Sequence, residues 1–143
     1  MTRRRIARVL LDSPLPQLDR LFDYAVPLPL MDAAVQGVRV RVPLRSAGRM
    51  ADGYIVEVAE AEEGERPLSD LEAVVSPVRV LPPSLVRLSR RVADRAAGSA
   101  IDILRLVIPK RQVRVEKAWL ACEPEGAAGT SVVDGAAVAS SSA

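Results

Sequence analysis

Phe22, Asp23 and Tyr24 place one carboxylate between two aromatic rings, in a chain whose aromatics number four among 143 residues. An aromatic face can stack on a planar base, and a carboxylate accepts a hydrogen bond from a hydroxyl group. The triplet lies in LLDSPLPQLDRLFDYAVP, residues 10–27, where Pro14 and Pro16 lead in and Pro27 follows. Proline fixes φ, so this framing predicts stiff extended segments that hold Phe-Asp-Tyr at one place. Residues 21–26 alternate Leu21, Asp23, Ala25 with Phe22, Tyr24, Val26, the period of a short strand. That alternation leaves two readings open. Both rings belong to the core and only Asp23 is exposed, or the rings flank the carboxylate at a binding surface.

Other residues suited to anions are guanidinium groups. In GVRVRVP, residues 37–43, Val38, Val40 and Val42 share one face and Arg39 and Arg41 the other, so one face enters the core while the other meets water or phosphate. Arg45 and Arg49 fall in a basic loop, LRSAGRMA, and Arg87, Arg90, Arg91 and Arg95 surround a helical pattern. A solvated face explains any of these as well as a phosphate contact does. Trp119 reads as a residue packed against a neighbouring domain, and Cys122 has no assigned role. The chain has no histidine and one cysteine, which excludes a Ser-His or Cys-His pair, a disulfide framework and ordinary structural zinc. Neither a G-x-x-x-x-G-K-[ST] nor a G-x-G-x-x-G loop occurs. No cofactor, no metal and no catalysis are expected of this chain.

Composition fits about one domain, with 49% hydrophobic residues but only 3% aromatic, so the core is built from Val, Leu, Ile and Ala. No apolar run is long enough to cross a membrane, Arg8 and Asp12 interrupt any secretory signal, and a cytoplasmic location is expected. The net charge of +2 conceals segregation. Residues 1–50 carry nine Arg against four Asp, residues 51–80 two Arg against eight acids, and residues 81–117 nine Lys and Arg against three acids. If the two basic segments meet in space they form a patch for nucleic acid.

The elements that position these groups read as strands over 6–12, 21–26, 37–43, 53–59 and 71–76, then helices. Residues 13–19 form an extended connection and 28–36 a single helical turn. Strands 37–43 and 53–59 form a hairpin with a long loop, and Pro43 ends its strand or sits at an edge. Arg3 to Arg5 read as a frayed terminus and residues 60–70 as an acidic loop. Leu85, Leu88, Val92 and Ala96 have helical spacing after Pro83, with Gly98 as the stop. Ser99 to Asp102 fit a capping box for a second helix that runs to Pro109. Val113 and Val115 alternate with charges, so 110–120 reads as a further strand or an extended linker. The fold class is therefore α+β, a small curled, barrel-like sheet followed by a helical pair. Residues 1–117 form the domain, and 118–143 form a disordered low-complexity tail that cannot offset its ordering entropy.

The segments LPQLDRLFDYAVP, GVRVRVP, GYIVEV and LEAVVSP, with LRLVIP closing the helical pair, resemble the N-terminal 3′-end DNA-binding domain of the PriA family of replication-restart proteins. The likeness covers roughly residues 6–117 and looks actinobacterial. It implies binding to DNA at the exposed 3′-hydroxyl of a nascent leading strand at a stalled fork. It implies a pocket made by Phe22, Asp23 and Tyr24, with Asp23 accepting from the 3′-hydroxyl and Phe22 against the terminal sugar or base. A glycine common after the VPF segment of the family is replaced by Arg45, and Glu72 stands where some members carry a basic residue. Arg45 and Arg49 are then candidate phosphate contacts. The winged-helix, helicase and zinc-binding parts of full-length members have no counterpart in these 143 residues, so the chain reads as a detached end-binding domain.

Two alternatives remain at this level. One is a protein-interaction module for primosome proteins or single-strand-binding protein, suggested by the edge at Pro43. The other is a remnant without function.

Overall fold

The protein is described from a computed structural model that covers residues 3–62, 64 and 67–122. Five antiparallel strands, β1 (Arg3–Leu11), β2 (Leu21–Ala25), β3 (Val38–Leu44), β4 (Arg49–Glu62) and β5 (Ala73–Arg79), form one sheet in the order β2-β1-β4-β3-β5. Helices α1 (Pro83–Ala96) and α2 (Ala100–Val107) follow. These elements lie in a compact unit that ends at Arg111, and α3 (Val113–Cys122) belongs to a second unit. The expected α+β class and curled sheet are found.

The curl comes from the segment ahead of β5. Ala25 N donates to Ser69 O at 2.9 Å, Leu71 N donates to Ala25 O at 2.8 Å, and Glu72 N donates to Arg41 O at 3.0 Å. Residues 69–72 thus join the end of β2 to β3 and fold the sheet on itself. Its inner face holds Ala7, Val9, Leu11, Tyr24, Val38, Val40, Val42, Ile55 and Leu71, all buried. The Val38-Val40-Val42 alternation works as the period of two requires. Outside the sheet, Leu10 and Leu81 pack with Ile101 and Leu104 of α2. Each fully buried aliphatic side chain contributes about 1.5–3 kcal/mol, so two small cores on opposite faces make up for the lack of aromatics.

Two glycines are required by close approach. Gly37 has φ +94, and a Cβ there would meet Leu81 O at 2.8 Å. A Cβ on Gly53 would meet Leu10 O and Val9 Cγ1, each at 2.7 Å, where β4 presses on β1 beside the register shift at Arg8/Val9.

Several sequence expectations are corrected. The loop of the hairpin is short. β4 begins at Arg49, since Met50, Ala51 and Asp52 pair with Pro43, Val42 and Arg41, and only Arg45–Ala47 and Gly48 (φ 59) turn the chain. Arg3 to Arg5 are not frayed. They pair in register with Glu62, Ala61 and Glu60, so part of the acidic loop is strand. Ala97, with φ 52, ends α1 in place of Gly98. Residues 113–122 are helical, neither strand nor linker. The connection over 13–19 contains a 3-10 turn at Pro16–Leu18. Ser99 caps α2 as expected, its Oγ accepting from Asp102 N at 3.4 Å, but the Asp102 carboxylate accepts from the Ser99 hydroxyl at 2.6 Å rather than making the reciprocal backbone bond of a capping box. The tail expected over 118–143 lies, from residue 123, outside the described residues.

Candidate functional site

The alternation of β2 separates the Phe-Asp-Tyr triplet onto two faces. Tyr24 is buried in the inner core, and Phe22 is half-buried against it. Asp23 stands on the outer face, its side chain 48% exposed, with Arg8 Nε 3.6 Å from its Oδ1. Arg8 also donates to Glu57 Oε2 at 3.1 Å, so it spans two carboxylates in neighbouring strands. Arg8 lies opposite Asp23 in the β1–β2 register and opposite Glu57 in the β1–β4 register. Of the two readings left open, the one with the rings inside and only Asp23 outside describes the tyrosine. Phe22 keeps partial exposure, and the Arg20 guanidinium lies over its ring at 4.5 Å, within cation–π range.

The two rings fix the strand that carries the carboxylate. Tyr24 Oη donates to Pro43 O at 3.1 Å, across the interior from β2 to β3. The local reason is visible in the ladder. Arg41 O faces the β5 side, where it accepts from Glu72 N, so Pro43 O, two residues on, faces the same side. β5 pairs with β3 no further than Arg41. Pro43 therefore has no amide to leave unpaired there, and its carbonyl is met by the tyrosine hydroxyl. Burial pushes the Tyr24 phenol above its ordinary pKa, which keeps it a donor.

The same alternation governs the edge of β2. Ala25 turns its peptide groups away from β1 toward Ser69 and Leu71. Asp23, two residues earlier, turns its own N–H and C=O the same way, along the edge beside its carboxylate.

Arg45 and Arg49 are exposed at the β3–β4 turn, whose approach is tied to β2 through the Tyr24–Pro43 bond. Glu72 is exposed on the segment that closes the sheet. Arg90 of the α1 cluster is committed to structure, bonded to Asp19 at 2.9 Å and Asp94 at 3.0 Å, while Arg87, Arg91 and Arg95 are exposed. Trp119, 50% exposed, lies on α3.

Sequence reasoning missed one feature. Arg39, Arg41 and Tyr54 on the outer face of the sheet, with Arg105, Lys110 and Arg111, line a cleft of about 560 Å³. The alternation of GVRVRVP signalled half of it. The other wall depends on the chain turning back over the sheet after α2, where Arg39 Nη2 donates to Pro109 O at 2.6 Å. Among the described residues no helix is long and apolar enough to cross a membrane.

Comparison with known proteins gives a consistent family. Residues 8–109 match the PriA 3′DNA-binding domain (3′BD). "Probable replication restart protein PriA" of Mycobacterium tuberculosis is 46% identical over 102 residues, which is 71% of this chain and 15% of that protein. The protein of the same name from Mycobacterium leprae is 44% identical over 106 residues, 74% of this chain and 16% of that protein. "Replication restart protein PriA" of Bacillus subtilis is 29% identical over 104 residues, 72% of this chain and 13% of that protein. The match thus spans about 15% of the length of the mycobacterial relatives.

Proposed function

The chain belongs to the PriA 3′DNA-binding domain family, and from that membership we propose that it binds the 3′ end of a DNA strand, with Asp23 accepting a hydrogen bond from the terminal hydroxyl. The observation that carries this reading is the half-exposed carboxylate of Asp23 on the outer face of β2, in the strand that the Tyr24 ring anchors from within. A hydroxyl donates to that carboxylate. A 3′-phosphate does not, and it brings a second anion against the first, so the site rejects it. The nearby Arg8 orients the carboxylate without closing it off. The exposed part of Phe22 packs against the terminal sugar or base. Arg45 and Arg49 contact phosphates, which positions a strand without reading its sequence.

On this reading the chain takes part in replication restart in the cytoplasm, at forks where a nascent leading strand ends in a free 3′-hydroxyl. The domain proposed for this role spans residues 1–117, which runs past the compact unit ending at Arg111 into α3. Primosome proteins and single-strand-binding protein are the protein partners proposed. The helicase motor is no part of the activity proposed for this chain, whose sequence has no G-x-x-x-x-G-K-[ST] loop.

The test is Asp23→Ala, with binding to a 3′-hydroxyl oligonucleotide followed by fluorescence anisotropy at fixed salt. Loss of a hydrogen bond to a charged group costs about 1.5–3 kcal/mol, so affinity falls by roughly one to two orders of magnitude. Unchanged affinity in a folded variant removes Asp23 from the site.

A further inference from the structure

We propose a second nucleic-acid contact, separate from Asp23, in which the cleft between the outer face of β3–β4 and the chain after α2 takes the phosphate backbone of an extended single strand away from its end. This rests on the DNA-binding reading above and adds a site to it. Asp23, on the outer face of β2, is not among the residues that line the cleft.

Five cations line the cleft against two acids, Asp12 and Asp52. Arg39 and Arg41 are two residues apart on one face of β3, which sets their Cα atoms about 6.7 Å apart along the strand, a step comparable to that between successive phosphates of an extended strand. Arg105, Lys110 and Arg111 come from the opposite wall. Each acid is engaged: Asp12 Oδ1 with Arg105 at 2.6 Å and Asp52 Oδ1 with Arg41 at 3.2 Å. The cations offered to a phosphate are then Lys110 and Arg41, the second through an exchangeable pair. The Arg41 and Asp52 side chains are 55% and 61% exposed, and an exposed pair of this kind is worth at most about 1 kcal/mol, so a phosphate can displace the carboxylate.

Lys110 is exposed. The half-buried ring of Tyr54 supplies an apolar surface beside the cations. A basic groove with an aromatic surface is the combination that holds single strands without regard to sequence. The cleft is also where the two basic sequence segments, residues 1–50 and 81–117, meet. The arginines at the N-terminus do not contribute there. Arg3 and Arg4 are paired with Glu60 and Asp70.

A circular oligo-dT, which has no 3′ end, tests this cleft apart from the end site. The wild-type chain is expected to bind the circle at low salt. The double variant Arg41→Gln with Lys110→Gln is expected to bind it about five- to tenfold more weakly and with a shallower salt dependence, the log–log slope falling by about 0.7 for each phosphate no longer neutralised. Asp23→Ala is expected to bind the circle like wild type. A thermal melt checks that the double variant is folded, and Lys110→Gln alone, at an exposed site, gives a smaller loss in the same direction.

Failure of the circle to bind while a linear 3′-hydroxyl strand binds overturns the cleft and leaves the end site standing. Equal affinity of wild type and double variant for the circle overturns it as well, as does equally tight binding of a poly-glutamate peptide. Binding of the circle through Arg41 and Lys110, with no preference for a 3′-hydroxyl on linear DNA, supports the cleft and overturns the end site.

Discussion

Tyr24 does two jobs with one side chain: its ring fills the inner core and its hydroxyl satisfies the Pro43 carbonyl that β5 leaves unpaired. Tyr24→Phe keeps the ring and removes the bond. The expected cost is about 1 kcal/mol, read as a shift in urea midpoint, and weaker end binding should accompany it because β2 and the turn carrying Arg45 lose their tie. The phenol also predicts a pH effect. Burial raises its folded pKa, so on alkalisation the unfolded state loses its proton first, near pH 10. The contribution is complete below about pH 10 and is lost as pH rises beyond it. Urea titrations on the two sides of that range should show an alkaline loss in wild type that is smaller in Tyr24→Phe. At this scale the sequence was readable: alternation over six residues places Asp23 opposite its two aromatic neighbours. What it did not reveal is the partner of each group, since Pro43 and Arg8 reach β2 only through pairings distant in sequence.

Among the elements, the connection over 13–19 is held by one carboxylate. Asp19 Oδ1 accepts from Ala100 N at 3.1 Å and Oδ2 pairs with Arg90 at 2.9 Å, with the Asp19 side chain only 12% exposed. It joins the start of α2, the flank of α1 and the entry to β2. Asp19→Ala should cost about 2–4 kcal/mol, for a lost charged hydrogen bond and a broken, largely buried pair, measured by denaturant unfolding. Helix starts were legible because they are local: Pro83 at the first turn of α1 and Ser99 at the cap of α2 both act where the sequence put them. The end of the hairpin and α3 were not. Arg49, Met50, Ala51 and Asp52 carry no period-two strand pattern, yet they pair because β3 lies opposite. Val113 and Val115 suggested a strand, but two valines are too few to set a period, and the Arg, Glu, Lys, Ala and Leu around them favour helix.

Taken whole, the unit ending at Arg111 arranges its charge through strand pairing. The basic N-terminus is laid along the acidic end of β4, which cancels much of the segregation seen along the sequence. Exposed cations remain at the β3–β4 turn, with Arg45 and Arg49, and in the cleft, with Arg41 and Lys110. Segment charges counted along a chain cannot show this, because it is the antiparallel register that decides which charges meet. The family, in contrast, was legible from short motifs, since the Leu-Pro lead-in and the Phe-Asp-Tyr strand are both local. The central claim is that a carboxylate on an edge strand receives a terminal hydroxyl. The most direct test is the affinity of the wild-type chain for one linear oligonucleotide ending in a 3′-hydroxyl and for the same strand ending in a 3′-phosphate, at the same salt. Tighter binding of the hydroxyl end, by about tenfold or more for a charge-assisted bond, is predicted, and equal affinity for the two ends would contradict the account.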